Sequence, residues 1–284
     1  MIALIFVSIL WAFSFGLIKG QLTGIDPSLV AFIRLALCAL VFLPFFRATL
    51  SASKTMKLVI LGSLQFGVMY WAYIQSYQYL PGYLVAVFTI FTPLYVMLFS
   101  ALLFDKLKVR HWLPVALSIL GTAVIVFKHP QGDTWITGIV ILQLANIVFA
   151  FGQVSYKYIE LEGSSHLSNI AIMYIGGALL SGAAVAIGGG YQDIAQISQH
   201  QWMVLCYLGI IASGIGFCAW NYGAKQVSPQ NLAIMNNGYV PLAVIFALTI
   251  FGESADIIRL TIGSVIIAAS LWWSHNVSQH QKSE

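Results

Sequence analysis

The sequence predicts an all-α integral membrane protein: ten transmembrane helices arranged as two inverted five-helix repeats. Three observations predict it. Of 284 residues, 60% are hydrophobic and 8% charged, with a mean hydropathy of +0.87, whereas soluble domains carry about 25% charged residues. Ten apolar stretches approach the roughly 20 residues that a bilayer-crossing helix needs. The two halves also match in order: Pro81 and Pro229, Leu84 and Leu232, Pro93 and Pro241, Leu94 and Leu242, and Val96 and Val244 each stand 148 residues apart.

The first span, 2–18, lacks the basic start and small-residue cleavage site of a signal peptide, and is expected to be retained. The second, 27–46, opens on Pro27 and carries Arg34. The third, 57–80, carries Tyr70, Tyr73 and Tyr77 at helical spacing. Spans 82–104 and 111–128 complete a first repeat, 1–128. Spans 134–156, 166–188, 202–224, 229–251 and 257–275 form the second, 134–275, before a tail, 276–284. The connections are too short to hold a soluble domain. Trp112, Trp135, Trp202, Trp272 and Trp273 fall near span ends, where an aromatic belt belongs. Trp11 and Trp71 lie deep in their spans and are pocket candidates.

Charge sets the expected orientation. With a cytoplasmic N-terminus, nine of the thirteen Lys and Arg residues fall on the inner side and three, Lys19, Lys128 and Arg259, on the outer. Arg34 remains within a span. The bias toward the inside predicts that both termini are cytoplasmic. Five spans per half is an odd number, so the halves have opposite orientations. A second match, at offset 138, pairs Trp11-Ala12-Phe13 and Lys19 with Phe149-Ala150-Phe151 and Lys157. Inverted repeats of this kind belong to alternating-access carriers with a site near the midplane.

Arg34 is the sharpest candidate for that site. It lies about seven residues, or ~10 Å, beyond Pro27, where an arginine costs about 2.5–3.5 kcal/mol to insert. Its planar fork of donors suits a carboxylate; an arginine bonding helix carbonyls is the plainer alternative. On the sixth span Gln143, Asn146, Gln153 and Lys157 share one face, a polar stripe that must meet protein or water. Asn146 and Gln153 are its pocket candidates. The stretch from Gly209 to Pro241 places Asn221, Asn236 and Asn237 in apolar surroundings, where an amide that both donates and accepts fits an amide-like or urea-like ligand group. Bonding between helices explains them equally. Tyr70 and Tyr73 add apolar faces with hydroxyls, or core packing. Gly209, Ser213 and Gly216 read as close helix packing.

Several classes are excluded. No phosphate-binding glycine loop is present, so ATP does not drive the chain directly, and no ATPase subunit is required. No acid lies deep in a span, and the six histidines make no zinc-like cluster. The cysteines Cys38, Cys206 and Cys218 have packing positions without ligand spacing. No cofactor, metal or nucleic-acid partner is expected; the partners are a small-molecule substrate and membrane lipid, and oligomeric state is not encoded legibly.

Trp11-Ala12-Phe13-Ser14-Phe15, Arg34, Thr92-Pro93-Leu94 and the duplicated five-span plan resemble the EamA-type carriers of the drug/metabolite transporter superfamily. The resemblance covers essentially the whole chain. Longer strings resemble the bacterial biotin permeases: Leu64-Gln65, Gly67 to Tyr70, Asn146-Ile147, Ala212 to Gly216, Trp220 to Ala224 and Ile234 to Asn237. The family often ends its fourth span in Gly-Glu, whereas this chain has Phe104-Asp105. The resemblance implies uptake of biotin across a bacterial inner membrane. Arg34 would take the carboxylate. Asn146, Asn221, Asn236 or Asn237 would pair the ureido edge, and Trp11, Tyr70 and Trp220 would flank the rings. Export of amino acids or related amphiphilic metabolites is the first alternative, and a membrane enzyme or helper subunit the second.

Overall fold

Helix caps and prolines written into the sequence set the element boundaries. The structure, a computed structural model, describes residues 2–103, 112–126, 134–237, 239–252 and 256–280. Every regular element among them is helical: α1 Ile2–Leu22, α2 Pro27–Phe45, α3 Ala52–Ser76, α4 Gly82–Phe88, α5 Thr92–Leu103, α6 Trp112–Val126, α7 Trp135–Tyr158, α8 His166–Gly188, α9 Gln199–Lys225, α10 Pro229–Met235, α11 Val240–Thr249 and α12 Ile257–His280. Seven helices among the described residues are long and apolar enough to cross a membrane, with α4 and α5 forming one of them. Phe104-Asp105 and Lys128, and the inner-side cations Lys106, Lys108, Arg110 and Lys282, lie outside the described residues.

Side-chain oxygens supply the helix starts. Asp26 accepts the Leu29 N–H ahead of Pro27 at the first turn of α2, a combination that satisfies an orphan donor and pre-sets the backbone. Ser198 and Gln201 form a reciprocal capping box on α9. Ser51 caps α3, which explains why that helix begins at Ala52 rather than at 57 and carries Lys54 and Lys57 on its first turns.

Two helices are interrupted in mid-course. A short 3-10 turn, Thr89–Phe91, separates α4 from α5 just before Pro93. Turn residues Asn236, Asn237 and Tyr239 lie between α10 and α11, just before Pro241. In both cases proline removes an N–H and its ring displaces the preceding carbonyls, so the backbone opens where the sequence places Phe88 and Asn236.

Glycines let α3 and α8 touch backbone to backbone. A Cβ on Gly176 would fall onto the Val59 carbonyl, and one on Gly62 onto that of Met173. Overfilling such a contact costs about 1–3 kcal/mol. Gly176→Ala is therefore expected to lower the Tm of the purified protein clearly, while Gly188→Ala, with open space around it, leaves it close to the starting value. The expected packing role of Gly209 and Gly216 also holds: a Cβ there would meet Leu37 at 2.9 Å and Trp11 at 3.0 Å. Trp71 corrects an expectation. It is 38% exposed on the outer surface of the bundle, because its neighbours Tyr70 and Ala72 take the inward positions.

Candidate functional site

A cavity opens between the two halves of the chain, lined by residues of both. Five expected site residues line it: Trp11, Arg34, Tyr70, Tyr73 and Asn146. Ser14, Thr89, Thr92, Phe149, Phe217 and Tyr239 complete much of the wall. The sequence alone did not single these six out. Among the described residues, the lining carries no acidic side chain.

Arg34 is 2% exposed. Its Nε donates to Ser213 Oγ at 3.2 Å, and Nη2 donates to Ser213 Oγ and to the Tyr70 hydroxyl, both at 2.9 Å. The guanidinium carbon lies 4.1 Å from the centre of the Tyr70 ring, a cation–π contact of the kind that strengthens when desolvated. Nη1 has no hydrogen-bond partner. Neutral hydroxyls and a ring thus hold a buried cation, and among the described residues no carboxylate meets it. A charge left this way is costly unless something else completes it.

The rest of the wall is aromatic. Trp11 donates its Nε1 proton to the Ala212 carbonyl at 2.9 Å, and packs on Phe217 and Trp220 with ring centres 4.7 and 4.8 Å away. The Tyr73 and Tyr77 hydroxyls bond each other at 2.7 Å. Asn146 donates to the Phe88 carbonyl at 3.1 Å, which the interruption after α4 has left open, and to Gln143 Oε1 at 3.2 Å. The polar stripe on α7 therefore meets protein along its length. Lys157 at its end donates to the Val227 and Ala224 carbonyls.

The other five expected residues stand behind the wall rather than on it. Trp220 Nε1 and Asn236 Nδ2 both donate to Gln153 Oε1 at 3.0 Å, and Gln153 Nε2 donates to Asn236 Oδ1 at 3.2 Å. Gln65 donates to Asn221 Oδ1 at 3.2 Å, while Asn221 Nδ2 and Gln65 Oε1 lack partners. Asn237 is buried, with its Oδ1 unpaired. Amides in an apolar layer gain most by pairing with each other, which draws these side chains into helix–helix contacts instead of the cavity. Ser213 goes the other way: expected as packing alone, it is a direct partner of Arg34.

The profile of the EamA-like transporter family matches residues 1–127 and 136–274. The chain belongs to that family. Curated relatives extend the match. A protein of Salmonella typhimurium called "Biotin transporter" is 36% identical over 276 residues, 96% of this chain and 92% of its own. A "Biotin transporter" of Escherichia coli strain K12 gives the same figures. A "Probable biotin transporter" of Pseudomonas aeruginosa is 35% identical over 274 residues, 95% of each chain. A solved crystal structure superposes with a TM-score of 0.73 over 98% of this chain and 97% of its own, at 16% identity; that likeness concerns the fold. An EamA-like transporter with such relatives is a multi-pass membrane transporter and not an enzyme, which sets the enzyme alternative aside.

Proposed function

We propose that this EamA-like transporter takes up biotin across the bacterial inner membrane by alternating access. The observation that carries the reading is Arg34, a buried guanidinium on an aromatic cavity wall with its Nη1 unpartnered. Biotin brings what such a wall lacks: a carboxylate on an apolar chain, and a ring system with a ureido edge of two N–H donors and one carbonyl. Arg34 takes the carboxylate. Asn146 on α7 and Thr89 in the interruption after α4 face the ureido edge. Trp11, Tyr70 and Tyr73 flank the apolar part. The names of the curated relatives agree with this substrate.

Ten spans in two inverted repeats, 1–128 and 134–275, with both termini and the tail 276–284 in the cytoplasm, supply the moving parts. In support, Thr89 and Asn237, one in each interruption, stand at the same 148-residue offset as the matched prolines. Discontinuous helices near the midplane are where carriers of this design bind substrate. Trp220 lies about one turn beyond Phe217 towards Lys225, and Gln153 one turn beyond Phe149 towards Lys157. The layer of Gln153, Trp220, Asn221, Asn236 and Asn237 then closes the cavity on its cytoplasmic side, and meets substrate only when the repeats rock. An amino-acid substrate would need a home for its ammonium, and among the described residues the cavity lining offers no carboxylate.

The test is uptake of labelled biotin in biotin-requiring cells stripped of their own importer. Desthiobiotin, which keeps the carboxylate and the ureido group, is expected to compete well. The methyl ester should compete at least tenfold less well, since about 1.5–3 kcal/mol attaches to a hydrogen bond with a charged group. Equal competition by the ester would remove the carboxylate role of Arg34.

A further inference from the structure

We infer that Ser213 is the positioning residue of the anion site: a π-helical turn presents its hydroxyl so that one edge of the Arg34 guanidinium is committed to the scaffold and Nη1 is kept for the substrate's carboxylate. The inference rests on the reading of Arg34 given above.

Proton directions carry the argument. Ser213 Oγ lies 2.6 Å from the Leu208 carbonyl and 2.6 Å from the Tyr70 hydroxyl. A carbonyl can only accept, so the single Ser213 proton goes to Leu208. Tyr70 must then donate to one of the two lone pairs on Ser213 Oγ; Nε–H and one Nη2 proton share the other as a chelate, and the Tyr70 oxygen accepts the second Nη2 proton. Nε–H and both Nη2 protons are accounted for by Ser213 and Tyr70. Neither hydroxyl has a proton left for an incoming anion. The two N–H groups on Nη1 are the donors that remain. Ser213 is fully buried and does not line the cavity, so it acts through Arg34 and not by touching the ligand.

The backbone is shaped for this. Residues Tyr207–Ile215 within α9 form a π-helix, a widened turn often found at functional sites. The Ser213 to Leu208 bond spans five residues, the spacing such a turn creates. Three other helices hold the widened turn through its carbonyls. Cys38 Sγ of α2 lies 3.1 Å from the Gly209 carbonyl, Trp11 of α1 donates to Ala212, and the Tyr174 hydroxyl of α8 reaches the carbonyls of Ser213 and Gly214. A regular α-helix through this segment would turn Ser213 to another bearing, leaving Arg34 Nε unpaired and Nη2 with Tyr70 alone.

Binding of biotin and of its methyl ester to the purified full-length transporter tests the inference, using wild type, Ser213→Ala, Ser213→Thr, Tyr70→Phe and Arg34→Ala. Ser213→Ala should weaken the acid about tenfold and leave the ester nearly unchanged, so that acid-over-ester selectivity falls. Ser213→Thr, which keeps the hydroxyl, should retain most of the selectivity. Adding Ser213→Ala to Arg34→Ala should change nothing further. If Ser213→Ala cannot be purified, Tyr70→Phe serves, since it takes away the other acceptor and should show the same acid-selective loss. Equal weakening of acid and ester by these variants, or unchanged selectivity, overturns the positioning role. If Arg34→Ala itself keeps full selectivity, the carboxylate reading fails instead.

Discussion

Arg34→Ala is expected to abolish saturable uptake at nanomolar biotin while the protein still reaches the membrane. The substitution removes the cation that lines the cavity among the described residues. Each charge-assisted bond to the carboxylate is worth about 1.5–3 kcal/mol, and with Nη1 offering two donors, the apparent affinity should fall by one to several factors of ten. Folding should suffer less than for most buried residues, because Arg34 is bonded to hydroxyls that can pair with each other: Tyr70 and Ser213 are already 2.6 Å apart. Arg34→Lys is expected to rescue little. A compact ammonium cannot bond Ser213 and Tyr70 on one edge and present donors on the other. Uptake by the alanine variant at wild-type affinity would reduce Arg34 to scaffold.

Gln153→Leu should have the opposite profile, a loss of stability before any loss of selectivity. Gln153 is fully buried, and its amide is bonded to Trp220 and Asn236. Leucine has nearly the same bulk but leaves the Trp220 N–H and the Asn236 Oδ1 without those bonds. Stranding buried polar groups costs about 1–3 kcal/mol each, enough to lower Tm and the amount of protein in the membrane. Transport per molecule should also change, because this layer is assigned to the closed cytoplasmic side. The ratio of acid to ester binding should not change. A Gln153→Leu protein with wild-type Tm would show that the network contributes nothing measurable to the closed form.

These two residues also mark what could be read from the sequence. Arg34 was legible because a lone charge in an apolar run has so few cheap explanations. The breaks before Pro93 and Pro241 follow from proline's local effect on the preceding turn. Gln153, Asn221, Asn236 and Asn237 were correctly marked as polar groups needing partners, but which way they turn depends on helices far apart in sequence. Gln153 meets Asn236 across 83 positions, and Gln65 meets Asn221 across 156. Ser213 was hidden for a different reason. It sits among small residues that do pack closely, and the π-helix shifts the register on which a 3.6-residue face is drawn. Thr89 and Thr92 were hidden too, since a hydroxyl in a helix usually bonds its own backbone, as Thr89 does to Ala86. Trp71 failed for want of a face: depth along a span does not say which side of the helix looks inward.

The most direct test of the central claim is entry of labelled biotin into liposomes that contain the purified protein and nothing else. The account predicts saturable entry that unlabelled biotin and desthiobiotin block, that the methyl ester blocks poorly, and that Arg34→Ala loses. A folded wild-type protein that admits no biotin, or admits acid and ester alike, would contradict it.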